Sequence, residues 1–120
     1  MAAADERVGQ AVRRARGEGH GFALVETQRV QATVAARQGR WEEAEHALEE
    51  GLALARSMSY PYGEARLLHV YGQMHVARGE PGPAHARLEA ALAIFRRLGA
   101  RKDAERVERA LITDVEGSVF

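Results

Sequence analysis

The sequence predicts an all-α protein in which antiparallel helix pairs stack into a right-handed superhelix of about six helices. The first observation behind this prediction is an internal repeat, because residues 64–99 match residues 24–59 at an offset of forty. The matched positions are Gly79 with Gly39, Ala84 with Ala44, Leu88 with Leu48, Leu92 with Leu52 and Arg96 with Arg56. The second observation is that apolar residues recur at helical spacing between glycine-containing turns, whereas alternating β-branched runs are absent. A fixed period of this length is typical of a stacked-repeat protein.

The repeat predicts one domain over residues 1–113. We expect a cap helix at 2–16, a first repeat at 22–58, a second repeat at 62–98 and a second cap helix at 102–113. Residues 114–120 show no periodicity and are expected to form a flexible tail. In a solenoid each repeat packs only on its neighbours, so single helices at the ends are expected to cover the apolar flanks.

The first cap helix is predicted from one narrow apolar stripe of Val8, Ala11, Val12 and Ala15. Gly17, Gly19 and Gly21 are expected to end it, because glycine readily takes the left-handed conformation found at helix ends. We therefore expect a separate helix, which is either a cap on the first repeat or the second helix of a preceding repeat.

The first repeat has a weak first helix and a strong second one. The first helix, residues 22–38, is interrupted by Gln28 and Gln31 and ends at Gly39. Its apolar residues are Phe22, Leu24, Val25, Val30, Ala32, Val34 and Ala35. The second helix, residues 41–58, contains Gly51, which costs about 1 kcal/mol relative to alanine inside a helix. We favour a close helix crossing at Gly51 over a simple weakness, because the equivalent residue in the next repeat is Ala91.

The second repeat has the most regular pattern in the chain. Pro61 marks the start of its first helix, and Pro81 and Pro83 stand where a second helix begins, since proline is tolerated in a first turn. Gly72 and Ala84 occupy the small-residue positions at which these two helices are predicted to cross. The second cap helix that follows has Val107, Ala110 and Leu111 on its packing face.

These repeats resemble the tetratricopeptide repeat. The closest match is the turn with the following helix, Gln38-Gly39-Arg40-Trp41-Glu42-Glu43-Ala44, together with Leu68, Tyr71-Gly72, His75, Ala84, Leu88 and Ala91. The family's usual period is about 34 residues, so forty implies roughly one additional helical turn. Lengthened repeats of this kind look like those in the sensor regions of bacterial signalling ATPases and transcription regulators.

Composition excludes several functional classes. The chain has 120 residues, with 17 basic and 17 acidic side chains, so its formal net charge is zero. This balance gives no general electrostatic basis for binding nucleic acid or an anionic membrane. The absence of cysteine, of a signal-peptide pattern and of a long apolar run favours a cytoplasmic protein.

No pattern in the sequence indicates catalysis. The five histidines lack metal-ligand spacing, and we expect His75 to be packed in the core and no metal or cofactor to bind. The glutamates between 42 and 50 are expected to form a solvated helix face. There is no nucleophile motif and no phosphate-binding loop, so the sequence predicts a protein that is not an enzyme.

The remaining candidate site is the concave groove that the resemblance implies for the first helix of each repeat. Its second, fifth and ninth positions fall here on Glu26, Arg29, Thr33, Arg66, His69, Gln73, Arg106 and Arg109. These residues are either an ordinary solvated face or a basic groove that binds a protein or peptide with an acidic segment. Three roles stay open: a protein-binding module of a bacterial regulatory or signalling protein, the end of a longer sensor region whose repeats contact each other, and a self-associating structural module.

Overall fold

The computed structural model describes residues 3–116, with side chains from His20 to Asp114. It contains five α-helices: α1 (Ala3–Arg37), α2 (Trp41–Ser57), α3 (Pro61–Ala77), α4 (Pro81–Leu98) and α5 (Arg101–Ala110). A π-helical turn, Leu111–Glu116, follows α5. The described residues include no β-strand, and neighbouring helices pack on one another as expected of a helical superhelix. The predicted fold class is therefore confirmed.

Four identical turns, spaced by twenty residues, connect the helices. Each turn contains one residue with positive φ: Gly39 (73°), Ser59 (51°), Gly79 (74°) and Gly99 (71°). The amide of the next residue then donates to a carbonyl five positions earlier, for example from Arg40 to Ala35 at 2.9 Å and from Glu80 to His75 at 2.9 Å. This is the Schellman arrangement, which satisfies the carbonyls at a helix end. The forty-residue repeat in the sequence is thus two successive copies of a twenty-residue unit of helix and turn.

The predicted break between a cap helix and the first repeat was wrong. Residues 3–37 form one continuous helix, so the stripe of residues 8–15 belongs to the N-terminal part of α1 and does not fold back over the first repeat. The described chain therefore has five α-helices where the sequence predicted about six. The physical reason is that a glycine weakens a helix by only about 1 kcal/mol, whereas reversing the chain needs the full turn found at Gly39. Gly21 is buried instead, and a Cβ there would lie 2.8 Å from the sulfur of Met58.

The core consists of small residues at the helix crossings and large residues between them. A Cβ on Gly51 would lie 3.0 Å from both methyl carbons of Leu67, and one on Gly72 would lie 2.6 Å from Cγ of Leu88. The predicted close crossings at Gly51 and at Gly72 with Ala84 are confirmed. The largest fully buried side chains are Tyr71, Phe95, Leu48, Leu52, Leu67, Met74, Leu88, Val25 and Val107.

The first helix of repeat one buries fewer of its apolar residues than its composition suggests. Val25, Ala32 and Ala35 are buried, but the other four large apolar residues of this segment are exposed: Phe22, Leu24, Val30 and Val34. Val30 and Val34 lie on the side of α1 opposite to the residues that face α2 and α3, because successive residues of an α-helix are rotated by about 100°.

The C-terminal helix begins one residue before the predicted 102–113 and is α-helical to Ala110, and the predicted flexible tail already begins in helical structure. Val107, Ala110 and Leu111 are buried as expected. Residues 114–116 continue in the π-helical turn, whereas 117–120, which complete the predicted flexible tail, lie outside the described residues. Within the described residues, no helix has the length and apolar character needed to cross a membrane.

Candidate protein-binding surface

The eight residues predicted from the first-helix positions lie along α1, α3 and α5. They are Glu26, Arg29 and Thr33 on α1, Arg66, His69 and Gln73 on α3, and Arg106 and Arg109 on α5. The helices are held side by side: α1 and α3 are in contact, and the Tyr62 hydroxyl of α3 donates to Asp103 of α5 at 3.0 Å. We call the surface that these eight residues line the first-helix surface.

One carboxylate joins the first two helices of this surface. Glu26 accepts hydrogen bonds from Nη2 of Arg29 at 2.9 Å and from Nη1 of Arg66 at 2.8 Å. All three side chains are partly buried, which strengthens charge-assisted bonds relative to fully exposed pairs. Two of the four predicted arginines are therefore already neutralised in part, and this end of the surface is less basic than the sequence indicates.

A first cleft lies between α1 and α3. It encloses about 230 Å³ and is lined by Thr33, Ala36, Arg37, Val70, Gln73, Met74 and Ala77. Apart from its rim, its wall is apolar, since Val70 and Met74 are core residues that border the cleft. A space of this kind suits a single apolar side chain of a partner better than a charged group.

A second cleft lies between α3 and α5, on the other side of Gln73. It encloses about 360 Å³ and is lined by His69, Gln73, Arg106, Arg109, Ala110, Thr113 and Asp114. Arg106 lies 3.5 Å from Asp103, whereas Arg109 forms no ion pair with any described side chain. Gln73 lines both clefts, so they are adjacent across α3.

His69 adds a polar group, but no positive charge, to the second cleft near neutral pH. Burial lowers its pKa from the ordinary value of 6.5; the carboxylate of Asp103 opposes this shift, and the guanidinium of Arg106 adds to it. A neutral imidazole can donate one hydrogen bond and accept another. The positive charge of this cleft therefore comes from its arginines.

Sequence reasoning missed several features of the surface. Tyr62 and Asp103 link α3 to α5, and Arg66 lies over the Tyr62 ring at 5.7 Å. Tyr62 and Asp103 do not occupy positions that the repeat pattern assigns to the groove. A pairing of Tyr62 with Asp103 across 41 positions of sequence can be recognised only once α5 is placed beside α3.

The opposite side of the repeats carries a structural polar network. The Tyr71 hydroxyl donates to Glu49 at 2.7 Å, and the guanidinium of Arg87 lies 4.0 Å from the centre of its ring. Burial, and then the hydrogen bond to Glu49, raises the pKa of Tyr71. His75 stacks on Tyr71 at 5.2 Å and bonds Glu80 at 2.9 Å, so it packs at the edge of the core and is partly accessible. These groups are paired with one another and provide no free catalytic group.

The glutamates predicted to form a solvated face, Glu42, Glu43, Glu45, Glu49 and Glu50, are all exposed. Within the described residues, no three histidine, aspartate or glutamate side chains come together in a way that could hold a metal ion.

The fold and this surface define a class of protein, a helical-repeat scaffold that presents the side chains of successive first helices on one side. The sequence model of the tetratricopeptide repeat matches residues 25–97, which is more than half of the chain. The chain belongs to the tetratricopeptide repeat family. Repeats of this family are typically non-catalytic modules for protein–protein interaction. Comparisons with curated proteins and with solved structures give no significant match.

Proposed function

We propose that this protein binds an extended segment of a partner protein across α3, with an apolar side chain in the first cleft and a carboxylate at the second. The observation that carries this proposal is the adjacency of an apolar cleft and an arginine-lined cleft on either side of Gln73. The sequence alone predicted an acidic partner segment. The proposed segment carries two anchors, an apolar side chain for the first cleft and a carboxylate for the second.

The spacing of the two anchors follows from the helix between them. An α-helix with its side chains is about 10–12 Å across. An extended peptide advances by about 3.3 Å per residue, so an apolar and an acidic residue about three positions apart would reach the two clefts. Arg109 would supply the charge-assisted hydrogen bonds to the carboxylate, with His69 as a neutral partner.

The biological setting in this proposal is a bacterial regulatory or signalling protein. Its support is the resemblance of the forty-residue repeats to those of the sensor regions of such proteins. Partner segments bound in this way would be recognised by short sequence features, which suits reversible contacts between regulatory proteins.

The test is a binding titration by fluorescence anisotropy, with synthetic peptides that carry a leucine and a glutamate three positions apart in either order. Peptides in which serine replaces the leucine, or glutamine replaces the glutamate, test each anchor separately. We expect affinity to fall roughly tenfold, or by about 1.4 kcal/mol, for either change. Affinity should also weaken as salt rises, because exposed charges are screened over about 10 Å at 0.1 M ionic strength.

Matched protein variants assign the two clefts. Arg109→Glu should weaken only peptides with the carboxylate, whereas Arg97→Glu, the same reversal at an exposed position of α4, should have no effect. Ala77→Glu at the exposed rim of the first cleft should weaken leucine-dependent binding, with Ala93→Glu on α4 as its control. Equal effects of each variant and its control, or binding that depends on neither peptide anchor, would contradict the proposal.

A further inference from the structure

The outer side of α1 carries an apolar stripe that nothing in the described chain covers. The stripe consists of Ala23, Thr27, Val30 and Val34, all exposed, at the 4-3-4 spacing of helices that pack along their length. The hydroxyl of Thr27 donates to the carbonyl of Ala23 at 2.9 Å, so it needs no partner from outside the helix. We call these four residues the outer stripe of α1.

The equivalent face of α3 shows what such a stripe does in this fold. Forty residues further on stand Gly63, Leu67, Val70 and Met74, and all four are buried. Val70 is 9% exposed where Val30 is 50% exposed, and Met74 is 1% exposed where Val34 is 43% exposed. The α3 face is covered by the preceding helices, since the position of Gly63 abuts Val25 of α1 and Leu67 packs at Gly51 of α2. The outer stripe is therefore a helix-packing face without its helix.

The two flanks of the stack differ in chemistry. On α5, the exposed outer residues are mostly charged: Arg101, Lys102, Glu105 and Arg109. This charged face of α5 contrasts with the outer stripe of α1. Stacking the outer stripe of one copy on α5 of another would bury these charges without partners, which is costly. Head-to-tail association is thereby disfavoured.

We infer that the outer stripe binds the outer stripe of a second copy, with the two α1 helices antiparallel about a two-fold axis between Thr27 and Val30. In this arrangement Ala23 of one copy lies opposite Val34 of the other, and Thr27 lies opposite Val30, so each small residue faces a larger one. The flanking residues Leu24 and Gln31 pair along one edge, and Glu26 and Thr33 along the other, so no like charges are opposed. A two-fold interface uses the same patch on both copies, which this stripe allows.

The size of the stripe limits the stability of the dimer. Twelve residues of helix span about 18 Å. A contact of this length buries less than the roughly 1,200–2,000 Å² of stable interfaces, so the dimer should dissociate on dilution. Thr33 borders this contact and also lines the first cleft, whereas no residue of the second cleft takes part, so variants of Val30 and Val34 test this inference separately from the proposed function.

Sedimentation velocity of the full chain over a wide concentration range tests the inference. We expect the mass to rise from the 13.2 kDa of one chain towards twice that value. The double variant Val30→Glu with Val34→Glu should stay monomeric at every concentration. Its control is Ile112→Glu, the same kind of change at an apolar residue that is 62% exposed on the opposite flank, and this variant should dimerise as the unaltered chain does. Circular dichroism melts of the monomers should coincide, because these side chains are exposed.

Several results would overturn the inference. They are a mass of 13.2 kDa at all concentrations, dimerisation of the Val30→Glu, Val34→Glu chain, or loss of the dimer in Ile112→Glu. The helix orientation has its own measurement, because the chain lacks cysteine and Gln38→Cys can carry one spin label per copy. Position 38 lies about 9.5 residues from the two-fold axis in each copy, and an α-helix rises by about 1.5 Å per residue. Labels in the antiparallel dimer should therefore lie about 28 Å apart along the helix axis, and labels close together would contradict that arrangement.

Discussion

The same substitution, glycine to alanine, should have opposite effects at two positions in the second repeat. Gly72 lies where α3 crosses α4, and a Cβ there would be 2.6 Å from Cγ and from Cδ2 of Leu88. Gly82 lies in the first turn of α4, and a Cβ there would meet nothing within 4 Å. Neither glycine has positive φ, so backbone conformation does not separate them. The two sites differ in packing, and Gly82 also precedes Pro83, whose ring disfavours a Cβ on the preceding residue in a helix.

The expected magnitudes follow from two terms. Replacing glycine by alanine in a helix stabilises the fold by up to about 1 kcal/mol, because the unfolded chain loses conformational freedom. At Gly82 this gain is opposed by contact between the new Cβ and the ring of Pro83. At Gly72 it opposes an overpacking cost of typically about 1–3 kcal/mol, and Leu88 is fully buried and has little room to move. We therefore expect Gly82→Ala to gain less than about 0.5 kcal/mol and Gly72→Ala to lose about 1 kcal/mol or more.

Thermal unfolding followed by circular dichroism can resolve this difference. For a small domain, 1 kcal/mol shifts the melting temperature by about 4 °C or more, so the two variants should melt on either side of the unaltered chain. The residues equivalent to Gly72 and Leu88 in repeat one are Ala32 and Leu48, both fully buried. Alanine is thus accommodated where α1 crosses α2. If Gly72→Ala were as stable as the unaltered chain, α3 and α4 could move apart to accommodate it as well. The argument from the 2.6 Å contact would then be refuted.

Three further predictions concern the core, a turn and the first-helix surface. Ala84→Glu, at a fully buried position, should lower the melting temperature far more than Ala86→Glu at an exposed position of the same helix, and equal effects would show that the facing of α4 is wrong. Ser59 has φ of 51°, so Ser59→Gly should raise stability by about 1 kcal/mol, whereas Ser57→Gly inside α2 should lower it; urea unfolding of both variants checks the sign. Glu26→Gln should free Arg29 and Arg66 and strengthen binding of acidic peptides in anisotropy titrations, and weaker binding would mean that Glu26 orients the arginines for the ligand.

The helices of the repeats were predictable because local signals and packing agree. Gly39, Gly79 and Gly99 are sequence signals for the turn that the structure forms, and Pro61 and Pro81 mark helix starts. The turn at Ser59 lacks glycine and was placed from its neighbour Pro61. The boundary before Phe22 was mispredicted because the glycines there were read as a helix end. A helix reverses only where a left-handed residue combines with the hydrogen bonds of the full turn, and Gly21 instead allows Met58 to approach.

The positions of the candidate site residues were predictable, but their electrostatics were not. The repeat pattern places Glu26 and Arg66 forty residues apart in sequence, and the structure brings them together as a hydrogen-bonded pair. Counting charges along the sequence treats both arginines near Glu26 and the imidazole of His69 as available cations. Ion pairing and burial remove much of that charge, and both depend on the distance between helices, which no local pattern contains.

The twenty-residue spacing of the turns explains why the eight residues of the first-helix surface and the four residues of the outer stripe occupy different positions of the helices. Because every helix starts in the same register after the same turn, first helices present their second, fifth and ninth positions on one side. The face that looks back along the stack is built from other positions, such as Val30 and Val34. Substitutions on one set therefore need not disturb the other. A partner segment bound across α3 and a second copy bound at α1 would meet at Thr33, which lines the first cleft and borders the outer stripe. Variants of Arg109 and of Val30 lie away from that residue and should separate the two activities.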